Sequence, residues 1–110
     1  MEPRSIIDAE FEQQVLNAEE LVIVNFWASW SRPSRVVFPI LEVISDRYNG
    51  ELTIVMLNVD KNKQLVKEFV IERIPTLLFF AGGKVVDKAE GISSVKYLEA
   101  QIQRLLPVLV

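Results

Sequence analysis

One stretch constrains this chain more than any other, the run from Val22 to Pro39, which reads Val-Ile-Val-Asn-Phe-Trp-Ala-Ser-Trp-Ser-Arg-Pro-Ser-Arg-Val-Val-Phe-Pro. Leu21 to Trp27 is apolar except for Asn25, the pattern of a strand covered on both faces. From Ser31 to Tyr48, residues Val36, Val37, Ile40, Leu41 and Ile44 fall at helical spacing, with Pro39 inside the run. An aromatic-rich turn joins strand to helix. Helix N-termini carry unpaired N–H groups and a partial positive charge. A side chain on this turn stands in electropositive, partly exposed surroundings, where a thiol would ionise readily. The sequence places Ser31 and Ser34 there.

What the chain lacks narrows its chemistry. It has no cysteine and no histidine. A disulfide framework, a zinc site built on Cys or His, and a Ser-His-Asp triad are therefore excluded. A net charge of −3 argues against a general nucleic-acid or anionic-membrane surface. No apolar run is long enough to span a bilayer. Met1-Glu2-Pro3-Arg4 leads into Glu- and Gln-rich sequence without a signal-peptide core. The expectation is a cytoplasmic monomer, one domain over residues 1–110.

The remaining elements follow from pattern. Ser5-Ile6-Ile7 is a short strand candidate, and Asp8 can cap a helix from Ala9 to Asn17 with Phe11, Val15 and Leu16 inward. Leu52 to Val59 is a second apolar strand, Lys63 to Phe69 a short helix, and Thr76 to Ala81 a third apolar strand. Gly82-Gly83 turns into an edge strand from Lys84 to Lys88. Ser94 caps a last helix that runs to Leu106 and stops at Pro107. This β-α-β-α-β-α-β-β-α order predicts an α/β fold, a mixed sheet with helices on both faces. In such sheets ligands meet the carboxyl ends of the central strands, where the Trp27–Ser34 turn lies.

At this point the chain resembles the thioredoxin family over nearly its whole length. That family carries a strand ending in Phe-Trp-Ala, then Trp-Cys-Gly-Pro-Cys, then a helix with an internal proline. Here the segment reads Phe26-Trp27-Ala28-Ser29-Trp30-Ser31-Arg32-Pro33-Ser34, with Pro39 following. Leu57-Asn58-Val59-Asp60, Ile74-Pro75-Thr76-Leu77, Gly82-Gly83-Lys84 and Gly91 also fall in register. The resemblance implies a thioredoxin fold: a mixed five-stranded sheet of order 1-3-2-4-5 flanked by four helices, with a cis bond before Pro75. It also implies a thiol–disulfide oxidoreductase lineage, a protein-disulfide reductase of cell redox homeostasis. A thioredoxin reductase would serve a parent that carries the cysteines.

The departures fall on the site. By the resemblance, Ser31 and Ser34 match the attacking and resolving cysteines, and Pro33 lies between them. Arg32 stands where glycine is common. Asn25 matches a buried, proton-handling Asp, Met56 a nearby Lys, and Glu90 a small apolar residue. Disulfide exchange needs a thiolate. A serine hydroxyl is hardly ionised at neutral pH and forms no S–S bond, so no turnover is expected of the chain as written. A serine nucleophile would need a base, and nothing in the sequence places one nearby. Capping of the helix by Ser31, with Ser34 in the first turn, is the simpler reading.

The resemblance further implies that backbone at Ile74 pairs with an extended client segment. Trp30, Arg32, Val59, Arg73, Ile74, Pro75, Gly91 and Ile92 would line that groove, with Arg35 adding positive charge beside it. Client proteins or extended peptides are the expected partners, not nucleic acid or membrane. No cofactor is implied, since Gly82-Gly83-Lys84 lacks the upstream glycine and following Ser/Thr of a phosphate loop. Two accounts fit. Serine is the near-isostere of cysteine and falls on just those two positions, which favours a Cys-to-Ser variant of an active family member. The alternative is a naturally redox-dead module that binds partners through the Trp30/Pro75 groove, to which Asn25, Met56, Arg32 and Glu90 point.

Overall fold

The computed structural model describes residues 3–106. Pro107, expected to stop the last helix, lies outside the described residues. The sheet has five strands: β1 (Arg4–Ser5), β2 (Leu21–Trp27), β3 (Leu52–Asn58), β4 (Thr76–Ala81) and β5 (Lys84–Glu90). Their order is β1-β3-β2-β4-β5, as the resemblance implied. β1 and β2 run parallel to β3, while β4 is antiparallel to both β2 and β5. An N-terminal helical segment and helices α1 (Arg32–Arg47), α2 (Lys63–Glu68) and α3 (Val95–Leu105) flank the sheet.

Strand β2 explains why the sheet is covered on both sides. Side chains alternate along a strand, yet Leu21 through Phe26 are all buried. Leu21 and Ile23 cluster with Ile54, Phe79, Val37, Leu41 and Ile44 of α1, and Leu98 and Ile102 of α3. Val22, Val24 and Phe26 cluster with Leu57, Phe80, Leu65 of α2, and Phe11 and Val15 of the N-terminal segment. On that second face Phe69 and Phe11 each meet Phe80 edge-on or nearly so, with centroids 5.5 and 5.6 Å away.

Several local expectations are corrected. β1 covers Arg4–Ser5, not Ser5–Ile7, although the Ile6 N–H still donates to Met56 O at 3.0 Å. Asp8 caps no regular helix. Its N–H donates to Asn62 Oδ1 at 2.8 Å, and the Glu10 carboxylate accepts from the Ile7 N–H at 3.0 Å. The chain forms a 3₁₀ turn over Asp8–Glu10 and then a π-helix over Glu12–Leu16, closed by Asn17 N–H to Glu12 O at 2.9 Å. Asp8 lies inside the 3₁₀ turn, whose N-cap is Ile7, and its buried Oδ1 has no partner among the described residues. Phe11 and Val15 nevertheless point inward, as expected. Val36 is exposed and stands off the apolar face of α1. β5 continues past Lys88 to Glu90, because Ala89 and Glu90 still pair with Leu77 and Thr76.

The hairpin turn needs its glycines. Gly82 and Gly83 have φ of +57° and +79°, the left-handed pair of a tight hairpin turn. A Cβ on Gly83 would also lie 2.9 Å from Leu16 O.

The end of α2 holds a strained residue. The Val70 N–H donates to Lys67 O and the Ile71 N–H to Val66 O, the paired bonds of a glycine-type helix stop. Val70 occupies the left-handed position of that stop, with φ +51°. A β-branched residue there is disfavoured by about 1–2 kcal/mol, and Val70 is exposed, so it loses little packing if replaced. Val70→Gly is expected to raise unfolding stability by about 1 kcal/mol in a denaturant titration. A variant no more stable than the parent would contradict this assignment of strain.

Candidate functional site

β2 and β3 run parallel and end side by side, with the Val59 N–H donating to Trp27 O at 2.9 Å. β4 begins at the same edge, since Phe26 pairs with Thr76. The Gly91 N–H donates to Pro75 O at 2.8 Å, which fixes the end of β5 against the Ile74–Pro75 segment. Four loops thus meet at one edge of the sheet: the turn after Trp27, the end of β3, the loop before β4 and the loop after β5. The Ile74–Pro75 bond is cis.

Both serines are turned to the backbone. Ser31 is the extended residue preceding α1, and its Oγ accepts from the Ser34 N–H at 3.2 Å. Ser34, fully buried, accepts from the Ala28 N–H at 3.3 Å through its own Oγ. Pro33 sits in the first turn of α1, where its missing N–H costs nothing. Arg35 ties the turn down by donating from Nη1 to Ser29 O at 2.9 Å. Neither hydroxyl is hydrogen-bonded to a basic side chain among the described residues, so the capping expectation describes the geometry and the activated-nucleophile arrangement is not assembled.

Asn25 and Met56 face each other across the β2–β3 register. Asn25 is fully buried; its Nδ2 donates to Met56 Sδ at 3.5 Å and its Oδ1 has no partner among the described residues. The pair is neutral where charges would have to shed water. Trp27 is half-buried and packs edge-on to Phe38 at 5.1 Å between centroids.

Trp30, by contrast, is 65 % exposed, with its Nε1–H donating to Asp60 Oδ2 at 2.9 Å. Asp60 was visible in the sequence only as the end of Leu57-Asn58-Val59-Asp60. Its use as the anchor of Trp30 depends on the closeness of two strand ends, which local pattern does not reveal. Ile92 is exposed and Ile74 half-buried, while Pro75 is buried. Val59 is almost buried within the core cluster and can supply only the floor of a groove, not its rim. Arg32 and Arg73 are exposed and pair with no carboxylate among the described residues.

The sequence profile of the thioredoxin family matches residues 2–104. The chain belongs to the thioredoxin family. It is 40 % identical to Thioredoxin 1 of Nostoc sp. over 86 residues, 78 % of this chain and 80 % of that protein. It is 38 % identical to thioredoxin of Synechocystis sp. over 101 residues, 92 % of this chain and 94 % of that protein. A bifunctional thioredoxin reductase/thioredoxin of Mycobacterium leprae is 35 % identical over 102 residues, 93 % of this chain but 22 % of that longer protein.

For this thioredoxin-family chain, the serine geometry gives a direct test. Ser31→Ala removes one cap and should cost about 1 kcal/mol of stability. Ser34→Ala leaves the buried Ala28 N–H without an acceptor and should cost about 1–3 kcal/mol. Thermal or denaturant unfolding measures both. Two neutral substitutions would show that the hydroxyls are not holding the turn.

Proposed function

We propose that this chain is a thioredoxin-family protein of thiol–disulfide oxidoreductase lineage that holds extended segments of partner proteins without exchanging disulfides. The observation that carries the reading is the backbone of Ile74. Neither its N–H nor its C=O is hydrogen-bonded among the described residues, and it lies beside the cis bond to Pro75. Backbone donors and acceptors left open at a surface can pair with an added strand. Trp30 and Ile92 supply exposed apolar contacts for such a strand's side chains.

In this reading Ser31 and Ser34 stand where the lineage carried its attacking and resolving cysteines, with Pro33 between them. Asn25 stands at the proton-handling position. Disulfide exchange breaks one S–S bond by forming another, and a hydroxyl offers no sulfur for the mixed disulfide. Recognition survives because it uses Trp30, Ile74, Pro75, Gly91 and Ile92 rather than a thiol. The setting we assign is a cytoplasmic monomer, one domain over the whole chain. A thioredoxin reductase would serve only a form that carries cysteines; the Mycobacterium leprae relative joins the two activities in its name.

A second reading rests on the fit of the serines. Both hydroxyls occupy the turn with its backbone bonds intact, which suits a near-isosteric replacement in an otherwise active reductase. Ser31→Cys combined with Ser34→Cys separates the two, followed by reduction of a protein disulfide with a thiol reductant as electron source. The serine chain is expected to stay at the uncatalysed rate. Turnover by the serine chain itself would overturn the proposal. Rapid turnover by the double variant favours a serine-substituted reductase. A folded but inactive double variant favours a binding module in which Asn25 and Met56 have also given up proton handling.

A further inference from the structure

A cleft of about 590 Å³ opens beside the Ile74–Pro75 segment, between β5 and the N-terminus of α3. Arg73, Lys88, Glu90, Ile92, Ser93 and Tyr97 are among its walls. Arg73 directly precedes Ile74, and Ile92 belongs both to this cleft and to the groove described above. The two surfaces are therefore continuous.

Three features of the cleft favour a negative group. First, α3 is 11 residues long and begins here. The Ser94 Oγ accepts only from the Tyr97 N–H, at 3.1 Å, so other N–H groups of the first turn remain open to a ligand. Second, Ser93 is only 8 % exposed, and its hydroxyl has no hydrogen-bond partner among the described residues. The oxygen is not fully enclosed, so on the wall of the cleft it is open to a ligand bound there. Third, the guanidinium of Arg73 pairs with no carboxylate among the described residues, whereas those of Arg47 and Arg104 elsewhere do. Glu90 opposes this field, and the Lys88 ammonium stands 4.0 Å from it. Asp87 of β5 is already engaged by Gln101 and Arg104.

We infer that this cleft receives the carboxylate of an Asp or Glu side chain carried by an extended partner segment held against Ile74. The inference rests on the groove reading and narrows it to acidic partners. Arg73 would meet the carboxylate as a fork of donors, and the Ser93 hydroxyl and the open N–H groups of α3 would complete its shell. The chain as a whole is acidic, at −3, so the preference has to be local.

The test compares two short labelled peptides of extended, apolar sequence that differ only in one flanking residue, Glu or Gln. Fluorescence anisotropy with the intact chain gives both affinities. The Glu peptide is expected to bind about tenfold more tightly, as one charge-assisted contact supplies, and added salt should narrow the gap. Arg73→Ala should abolish the difference between the two peptides, whatever it does to the affinity they share. Glu90→Gln should widen it. Equal affinity for the two peptides at low salt overturns the acidic site but leaves the groove standing. Binding of neither peptide overturns the groove reading and this inference with it. Displacement of the Glu peptide by an equal concentration of inorganic phosphate would assign the cleft to a free anion and overturn the peptide assignment.

Discussion

The pairing of β2 with β3 on one side and β4 on the other is the constraint from which the rest of this molecule follows. Leu21 to Phe26 are buried because helices lie on both faces of that central strand. Burial on both faces leaves no tolerance for a register slip, since a shift of one residue would exchange the two side-chain sets. The register in turn decides what meets at the carboxyl end of β2. Asn25 falls opposite Met56, and Phe26 opposite Thr76. The turn holding Ser31 and the cis-proline segment therefore leave the sheet at the same edge.

The turn itself is governed by backbone hydrogen-bond demand. A helix that begins directly after a buried strand brings unpaired N–H groups into a confined place. Here the Ser31 hydroxyl answers that demand for Ser34, and the Ser34 hydroxyl takes the N–H of Ala28 just beyond the strand. Neither hydroxyl is hydrogen-bonded to a basic side chain among the described residues. The adjoining surface carries an exposed indole held by Asp60, a backbone at Ile74 with open valences, and the cleft at the head of α3. In the proposed reading, binding and chemistry separate because different atoms would carry them.

Much of this was legible in the sequence where local pattern and tertiary demand agree. The mostly apolar runs matched β2 and β4 to the residue, and Ser31 and Ser94 marked the starts of α1 and α3. Pattern failed at other places. Asp8 looks like a helix cap, but it sits inside a 3₁₀ turn with its N–H on Asn62, and the segment goes on into a π-helix. Val36 lies at a helical apolar position yet faces outward, because the contacts of α1 run along Val37, Leu41 and Ile44. In the site, residue types and order identified the turn, the cis-proline segment and the glycine beyond it. The anchoring of Trp30 by Asp60, the near burial of Val59 and the cleft lined by Ser93 were not legible. Each depends on how strand ends from different parts of the chain converge.

The central claim is that recognition persists at the Trp30–Ile74 surface without a thiol. The most direct measurement is titration of an isotope-labelled sample of the chain with an extended apolar peptide, followed by amide and indole NMR. The account predicts shift changes confined to Trp30, Ile74, Gly91 and Ile92, with the Ile74 N–H becoming protected from hydrogen exchange as it pairs with the added strand. Changes centred instead on the groove bordered by Phe38 and Met56, or no saturable change at all, would contradict it.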